Sequence, residues 1–284
     1  VLKPDSNVAF GEGGAGTFSD GKLNTGVKDK TGRKQFVLQS FVNFGAPEEI
    51  LYDAKPHIGT DILAKVVKNI REAIISMGGE VRFHTKVTGI RTKRSIDFSD
   101  EPALAMLHLE DTKTNIGEDL LTDVAVLAIG HSARDTFGLL NLSDIKMEPK
   151  PFAVGVRVEH PQDMIDESQY GKNAPESLPA AAYKLTAKTK EGRGVYTFCM
   201  CPGGYVVNAS SEENRLAVNG MSYSGRNGKN ANSAVIVTVS PEDFPEKDIL
   251  GGLAFQRQLE EAAFAEGQGK IPVQLFGDFK KNVP

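Results

Sequence analysis

Glycines dominate the first stretch of the chain that could do chemistry, FGEGGAGTFSDGKL at residues 10–23. Gly11, Gly13 and Gly16 have the spacing G-x-G-x-x-G, which in a strand–turn–helix unit holds the pyrophosphate of a dinucleotide. That unit needs a buried strand before the glycines and an amphipathic helix after them. Only NVAF directly precedes Gly11, and the residues after Gly16 are turn formers without an apolar stripe. The spacing alone therefore does not predict the first βα turn of a dinucleotide fold.

Two interpretations of this glycine-rich loop remain. Glycines gather wherever a chain must bend, so the loop fits a cluster of surface turns. Residues without side chains also allow a backbone to approach a ligand closely. Thr17, Ser19, Asp20 and Lys22 add hydroxyl donors, a carboxylate and a cation. The residue types alone leave both interpretations open.

A second stretch with chemical potential is DVAVLAIG at residues 123–130, a continuous apolar run that ends in glycine. Such a run is typical of a strand buried on both faces. HSARDTFGLLNL follows at once and predicts a helix, with Ser132 and Asp135 at a spacing that resembles a capping box. A strand, a glycine and a helix start in succession favour a site where backbone N–H groups meet an anion.

The surrounding pattern predicts the elements that must position these two stretches. Apolar residues at helical spacing predict a helix from Thr60 to the pair Gly78 and Gly79. Strands are expected at EVRFH, KVTGI and AMLHLED before residue 150, and at FAVGVRVEH, GVYTFCM, GYVVNA, RLAVNG and AVIVTVS after it. Residues 184–193 are expected to form a basic surface loop, and residues 252–266 a late helix. We place a domain boundary near residue 150, with an α/β part at 1–150 and a β-rich α+β part at 151–284.

Other reactive side chains are less informative. Cys199 and Cys201 lie two apart, which is not the C-x-x-C redox spacing, and buried cysteines commonly act as small apolar residues. His57 precedes a helix start and fits either a ligand contact or a surface position. The amides of Asn230 and Asn232 fit either a substrate contact or a strand connection. No spacing resembles a metal site, and no serine lies in a G-x-S-x-G elbow.

Composition limits the classes of protein that fit. The chain has 284 residues and a net charge of −4, so no bulk field attracts nucleic acid or an anionic membrane. No apolar run approaches the roughly 20 residues that span a bilayer. Two cysteines argue against a secreted disulfide framework and favour a reducing cytoplasm.

Several long motifs together carry a family resemblance. GEGGAGTFSDGKL, GGEVRFHTKVTGI, VLAIGHSARDTF, FAVGVRVEHPQ, YTFCMCPGGYVVNASSEENRLAVNGMSYSGRNGKNANSA and IPVQLFGDF occur in this order along nearly the whole chain. The sequence resembles the uncharacterised bacterial FAD-dependent dehydrogenases of the glutathione-reductase-like flavoprotein superfamily. The resemblance implies an oxidoreductase that uses FAD, with NAD(P) as a candidate electron partner and with an unknown substrate.

The resemblance also implies roles for particular residues. In such flavoproteins a glycine-rich segment downstream of the true fingerprint wraps the pyrophosphate and flavin of FAD. Here that segment comprises Gly13, Gly14, Ala15, Gly16, Thr17, Ser19, Asp20, Gly21 and Lys22. The strand that ends in Ala-x-Gly passes near the cofactor as well, which implies roles for Gly130, His131, Ala133 and Arg134. The guanidinium of Arg134 suits a phosphate, although a helix start with a surface arginine fits the same residues.

Two segments of the family pattern have no match in this sequence. The first βαβ unit of the family and its closing glycine-rich segment have no counterpart in these 284 residues. We therefore expect an internal fragment that contains an incomplete Rossmann-like FAD-binding domain and an incomplete substrate or cap domain. Such a fragment is expected to bind FAD weakly or not at all, and to self-associate through exposed apolar surface. The alternative is a non-catalytic module of flavoprotein fold that binds another phosphate-containing ligand.

Overall fold

The computed structural model describes residues 2–4, 6–23, 28–93, 103–143 and 145–283. These residues combine α-helices with antiparallel sheets, so the chain is an α+β structure. The helices are α1 (Gly14–Thr17), α2 (Arg33–Asn43), α3 (Thr60–Ser76), α4 (Arg134–Leu142), α5 (Gln162–Tyr170), α6 (Gly251–Glu266) and α7 (Phe276–Lys281). The strands are β1 (Thr85–Lys93), β2 (Ala103–Asp111), β3 (Gly117–Leu121), β4 (Phe152–Pro161), β5 (Thr186–Lys188), β6 (Gly194–Cys201), β7 (Tyr205–Asn208), β8 (Val218–Met221) and β9 (Asn230–Val239).

Helix α3 organises the core of the first half of the chain. Its apolar stripe buries Leu63 and Val66 against Leu38 of α2 and against Ile50 and Ile58. The helix starts at Thr60, as the sequence predicts, but the Thr60 hydroxyl donates to the carbonyl of Ser19, 2.9 Å away, and does not cap the helix. The start of α3 is thereby tied to the glycine-rich loop.

The sheets of the described residues pair only antiparallel strands. Strands β1, β2 and β3 follow one another in a meander, and β7 pairs with β8 in a separate two-stranded ribbon. The largest sheet has the order β4-β9-β6-β5, with β9 at its centre. The five strands predicted after residue 150 are confirmed as β4, β6, β7, β8 and β9.

The large sheet presents two different faces, because successive residues of a strand point to opposite sides. Phe152 packs on one side against Phe244, with ring centroids 5.2 Å apart, and against Phe255 of α6. Ala153, its neighbour in β4, lies on the other side, where the sheet borders a cavity. One face of the sheet therefore builds the core of the second half, and the other face is available to a ligand.

Several sequence-based expectations about elements were wrong. EVRFH forms no strand, and its last two residues lie in a turn. Helix α2 occurs in a region where a loop was expected, and α5, α7, β3 and β5 occur where no helix or strand was expected, β5 within the predicted basic loop. Residues 124–130 form no strand in the described structure, and Val124, Val126 and Leu127 are exposed. The capping-box expectation also fails, since Ala133 is the N-cap residue of α4 and no side chain caps the helix. A strand that is hydrophobic on both faces needs elements packed on both faces. No strand of the described residues pairs with residues 124–130.

Within the described residues, no helix combines the length and the apolar character that a membrane crossing requires.

Candidate functional site

A cavity of about 500 Å³ lies between the large sheet, the β7–β8 ribbon and two loops from the first half of the chain. This volume falls within the range typical of sites for small molecules and cofactors. The sheet forms its floor through the side chains of Ala153, Tyr196, Phe198, Ala234 and Ile236. The ribbon and its flanks contribute Val207, Ala209, Ser211, Ala217, Val218 and Asn219.

Strand register explains why these floor residues share one face. Tyr196 and Ile236 are directly opposite each other across β6 and β9, and Phe198 is opposite Ala234. Directly opposite residues of an antiparallel pair point to the same side of the sheet. Small alanines beside aromatic rings leave a shallow apolar surface, which suits the face of a flat ring system.

The glycine-rich loop contributes Ala15 and Phe18 to the cavity wall. Gly13 has a φ of +78°, and a Cβ built there would lie 2.0 Å from Thr17 Oγ1. This position requires glycine for the internal packing of the loop. A Cβ built at Gly14 or Gly16 meets no atom within 4 Å, so the backbone there borders open space that a ligand could enter.

The next residues of the loop pair with the segment that leads into α3. Lys22 forms an isolated β-bridge with His57, and the amide of Ile58 donates to the carbonyl of Gly21, 3.0 Å away. A Cβ at Gly21 would lie 2.9 Å from the backbone nitrogen of Gly59. Gly21 is therefore explained by the close approach of two chain segments, and it needs no ligand to explain it.

Asp20 and Lys22 fasten this loop to the second half of the chain. The Asp20 side chain is 3% exposed and accepts a bidentate pair of hydrogen bonds from Arg226, with Nε 2.9 Å from Oδ1. Lys22 Nζ lies 2.6 Å from Asp20 Oδ2 and also donates to the carbonyl of Met200. Both charges that were expected to meet FAD are neutralised within the chain. Their role in cofactor binding stays a prediction.

Ser19 has an internal role in the same loop. Its hydroxyl donates to the carbonyl of Gly16, 2.9 Å away, and accepts from the amide of Gly21 at 3.1 Å. Thr17 is buried, and its Oγ1 has no hydrogen-bond partner among the described residues. A buried hydroxyl without a partner is costly unless a further group satisfies it.

The second predicted segment reaches the same cavity. His131 and Ser132 line it, and Gly130 has a φ of +69° with no atom within 4 Å of a built Cβ. Ala133 is buried beneath them at the N-terminus of α4. The cavity therefore brings Ala15 and Phe18 together with His131, Ser132 and Arg134, although more than 110 positions separate the two segments in the chain.

Arg134 lines the cavity but is held by carboxylates. Its guanidinium lies 2.6 Å from Glu212 and 2.6 Å from Glu260, and Nη2 donates to Gln256 at 3.1 Å. Burial raises the pKa of Glu212, but hydrogen bonds from Arg257 and Arg134 outweigh it and lower that pKa to about 2. The Arg134 charge is therefore compensated, and only its Nε lacks a partner among the described residues.

Most of the floor was missed by reasoning from the sequence. Tyr196, Phe198 and Asn219 were included only in strand or turn predictions. The period of two along β6 and β9 was a usable signal, because alternate positions share a face. Which of the two faces borders a cavity depends on elements distant in the sequence.

The remaining side chains considered from the sequence lie outside the cavity wall. The pKa of Cys201 is raised by burial, which disfavours the thiolate, and its Sγ donates to the carbonyl of Cys199 at 3.3 Å. Asn230 binds Glu159, and Asn232 is fully buried. The described part of the chain holds no cluster of three or more His, Cys, Asp or Glu side chains suited to a metal ion.

Comparison with known proteins shows which proteins this chain is similar to. Residues 151–284 match the family described as "FAD-dependent protein, C-terminal domain-like". The chain is also 51% identical over 285 residues to an uncharacterised protein of Clostridium beijerinckii. That alignment covers 99% of this chain and 51% of the relative, so the chain spans about half the length of the protein it matches. The sheet that floors the cavity lies within the matched residues 151–284, which relates this half of the chain to flavoproteins.

Proposed function

We propose that this chain forms one side of the FAD site of a cytoplasmic FAD-dependent oxidoreductase. One observation carries the proposal: the glycine-rich loop, through Ala15 and Phe18, and the segment at the start of α4, through His131, Ser132 and Arg134, line a single cavity. The floor of that cavity belongs to the segment that matches the FAD-dependent family. Bound FAD supplies the transfer of an electron pair, while the protein supplies orientation and electrostatics.

The backbone of the glycine-rich loop and of Gly130 leaves space for a flavin cofactor. Gly14, Gly16 and Gly130 border open space where an added Cβ would stand in the way of a ligand. The apolar floor suits a flat ring. Thr17, between the lining residues Ala15 and Phe18, has a buried Oγ1 without a hydrogen-bond partner among the described residues. We assign the direct cofactor contacts to the backbone of Gly13, Gly14, Ala15, Gly16 and Thr17 and to residues 130–133.

The charged residues of the predicted set receive a different role in this proposal. Asp20 and Lys22 hold the glycine-rich loop against residues 200 and 226, and Arg134 holds the start of α4 against α6. Their charges are compensated, so these side chains position the loops that touch FAD. Positioning matters because the backbone of a flexible loop binds a ligand only when its conformation is fixed beforehand.

We further propose that the chain acts within a longer flavoprotein. The chain covers 51% of its relative, which leaves room for a dinucleotide-binding unit outside this sequence. The exposed apolar residues Val124, Val126 and Leu127 support additional sheet partners. In this proposal the unit outside this sequence makes the first set of contacts with the cofactor, and the glycine-rich loop makes the second set. The chain alone therefore binds FAD weakly.

The test compares absorbance from about 350 to 500 nm for this chain and for the purified Clostridium beijerinckii relative, followed by FAD titration of both. We expect flavin bands in the relative, and at least tenfold weaker FAD binding by this chain. Flavin in neither protein, even after FAD is added, would contradict the FAD proposal. Stoichiometric flavin in this chain would contradict the need for a further unit.

Two alanine variants test the contact residues within this chain. Gly16→Ala adds a methyl group in open space, so we expect an unchanged melting temperature and weaker residual FAD binding. Gly13→Ala forces a clash with Thr17 and a left-handed backbone, so we expect a loss of stability of at least about 1–2 kcal/mol. FAD binding that is unchanged by Gly16→Ala would exclude this loop as a contact.

A further inference from the structure

Arg134 lines the cavity, and Arg157 and Arg226 contact residues of the segments that form it, but the partners of the three arginines differ. Arg134 is paired with Glu212 and Glu260, and Arg226 is paired with Asp20. The guanidinium of Arg157 binds only neutral acceptors. Nη1 donates to Asn232 Oδ1 at 2.5 Å and to the Cys199 carbonyl at 3.3 Å, and Nη2 donates to Asn219 Oδ1 at 3.3 Å. No carboxylate of the described residues forms an ion pair with Arg157.

The position of Arg157 relates it directly to the cavity. In the sheet register Arg157 is opposite Ala234, and Ala234 is opposite Phe198 on its other side. These three residues share one face of the sheet, and Ala234 and Phe198 belong to the cavity floor. Asn219, which accepts a hydrogen bond from Arg157, lines the cavity from β8. The guanidinium therefore lies on the same side of the sheet as the floor and contacts Asn219, a residue of the cavity wall.

The surroundings of Arg157 are built to hold the guanidinium in place. A Cβ on Gly220 would lie 2.3 Å from Arg157 Nη1 and 2.2 Å from Asn232 Oδ1, so glycine leaves the room that the pair occupies. Asn232 is fully buried, and its Nδ2 has no partner in the described part of the chain. The cluster thus holds a partly buried cation in a fixed position, beside one donor, Asn232 Nδ2, that has no acceptor among the described residues.

A positive charge without a counter-charge is unfavourable in a partly buried place, and an anion relieves that cost. The planar fork of arginine fits a carboxylate through two parallel hydrogen bonds. We propose that the cavity binds an organic carboxylate with a flat apolar body. Arg157 and Asn219 hold its carboxylate, and Val207, which lies opposite Asn219 in the ribbon, packs against its body, so that the floor is left to the flavin. As an assignment of substrate class to the flavin site, this inference rests on the proposed function.

The experiment uses benzoate as the probe and benzamide as its neutral counterpart of equal size. Binding of each to the chain is measured by isothermal titration calorimetry at low salt. We expect benzoate to bind at least tenfold more tightly than benzamide, and this preference to weaken as salt is added. A preference below twofold, or no benzoate binding at all, would overturn the proposal without any variant.

Variants then locate the preference. We expect Arg157→Gln to remove the discrimination between benzoate and benzamide, and Arg157→Lys to retain part of it. Arg33→Gln is the matched control, because it removes the same charge at an exposed position of α2. Benzoate discrimination that survives in a folded Arg157→Gln protein, or that is lost equally in Arg33→Gln, would overturn the assignment to Arg157.

The two proposals fail in different ways. Each titration is run with and without FAD, and the FAD titration is read separately from flavin absorbance. Arg157-dependent benzoate binding in a protein that never binds FAD would contradict the flavin site alone. FAD binding without benzoate discrimination would contradict the carboxylate site alone.

Discussion

Charge compensation separates the ionised side chains around the cavity into two groups. Asp20, Lys22 and Arg134 have partners of opposite charge within the chain, whereas the acceptors of Arg157 among the described residues are all neutral. A compensated buried charge resists a change of partner, because breaking such a pair leaves the other ion unpaired. The side chain best prepared to meet an anionic ligand is therefore one that the sequence motifs did not indicate.

The ionised carboxylate of Glu212 contributes to the free energy of unfolding, and a single substitution tests this contribution. Its folded pKa of about 2 lies below the ordinary value of 4.5, so the ionised form stabilises the fold above about pH 4.5. This contribution is lost as the pH falls from about 4.5 towards 2. We expect Glu212→Gln to lower the free energy of unfolding by about 2 kcal/mol at pH 7, because hydrogen bonds to charged groups contribute about that much.

Urea unfolding at pH 7 and pH 3 measures this effect. The difference between Glu212→Gln and the unchanged protein should shrink at pH 3, since Glu212 itself then begins to lose its charge. The exposed neighbour Glu213 provides the matched control, Glu213→Gln, which should show little difference at either pH. A stability difference for Glu212→Gln that stays constant between the two pH values would exclude the lowered pKa as its cause.

At the scale of elements, a strand-like sequence forms a strand only where the fold supplies a neighbouring strand. The alternation in β4, β6 and β9 matches strands that find antiparallel partners inside the chain. The apolar run at 124–130 has the composition of a strand, yet residues 124–128 are exposed. Strand formation needs a neighbour for the backbone as well as a suitable sequence. An apolar segment without such a neighbour is a surface for association.

Val126 tests whether this segment drives self-association. The side chain is 87% exposed, so Val126→Glu should change the free energy of unfolding by no more than about 0.5 kcal/mol. A charge in the segment should shift the monomer–oligomer equilibrium toward monomer, as measured by sedimentation equilibrium. Val273 is 90% exposed elsewhere and serves as the control, Val273→Glu. An equal shift from both substitutions would argue against residues 124–127 as the contact.

At the scale of the whole molecule, polar contacts join the two halves beside the cavity. Arg226 binds Asp20 across 206 positions of sequence, and Lys22 reaches the Met200 carbonyl. The backbone and side chain of Ser224 bind Asp61 at the start of α3, at 2.9 and 2.7 Å. These contacts place the glycine-rich loop over the second half of the chain, so the shape of the cavity depends on them.

Removing one partner of the Asp20–Arg226 pair should be costly. We expect Asp20→Asn to lower the free energy of unfolding by about 3 kcal/mol, the low end for a buried pair, because Arg226 stays partly exposed. Arg226→Gln should cost less, since Lys22 still faces the carboxylate. Guanidinium chloride unfolding of both single variants and of the double variant measures the coupling. We expect a coupling free energy of about 1 kcal/mol between the two substitutions. Losses that simply add would contradict a direct pair.

The sequence by itself determined part of the local elements of this protein. Strand-forming residues between turn signals predicted β4, β6, β7, β8 and β9, and the apolar stripe predicted α3, because both patterns depend on residues only a few positions apart. The resemblance of its motifs to an FAD-dependent family also indicated a flavoprotein relation, which the family match of residues 151–284 supports. The domain boundary near residue 150 and the site assignments stay predictions.

Only the tertiary structure decided how these elements build a site. It brought Ala15 and His131 to one cavity, selected the sheet face of Tyr196 and Phe198 as its floor, and gave Arg134 carboxylate partners. The physical reason is that burial and charge pairing depend on which distant segments meet. A side chain's type reveals what it can bind, and its neighbours in space determine whether that capacity is still free.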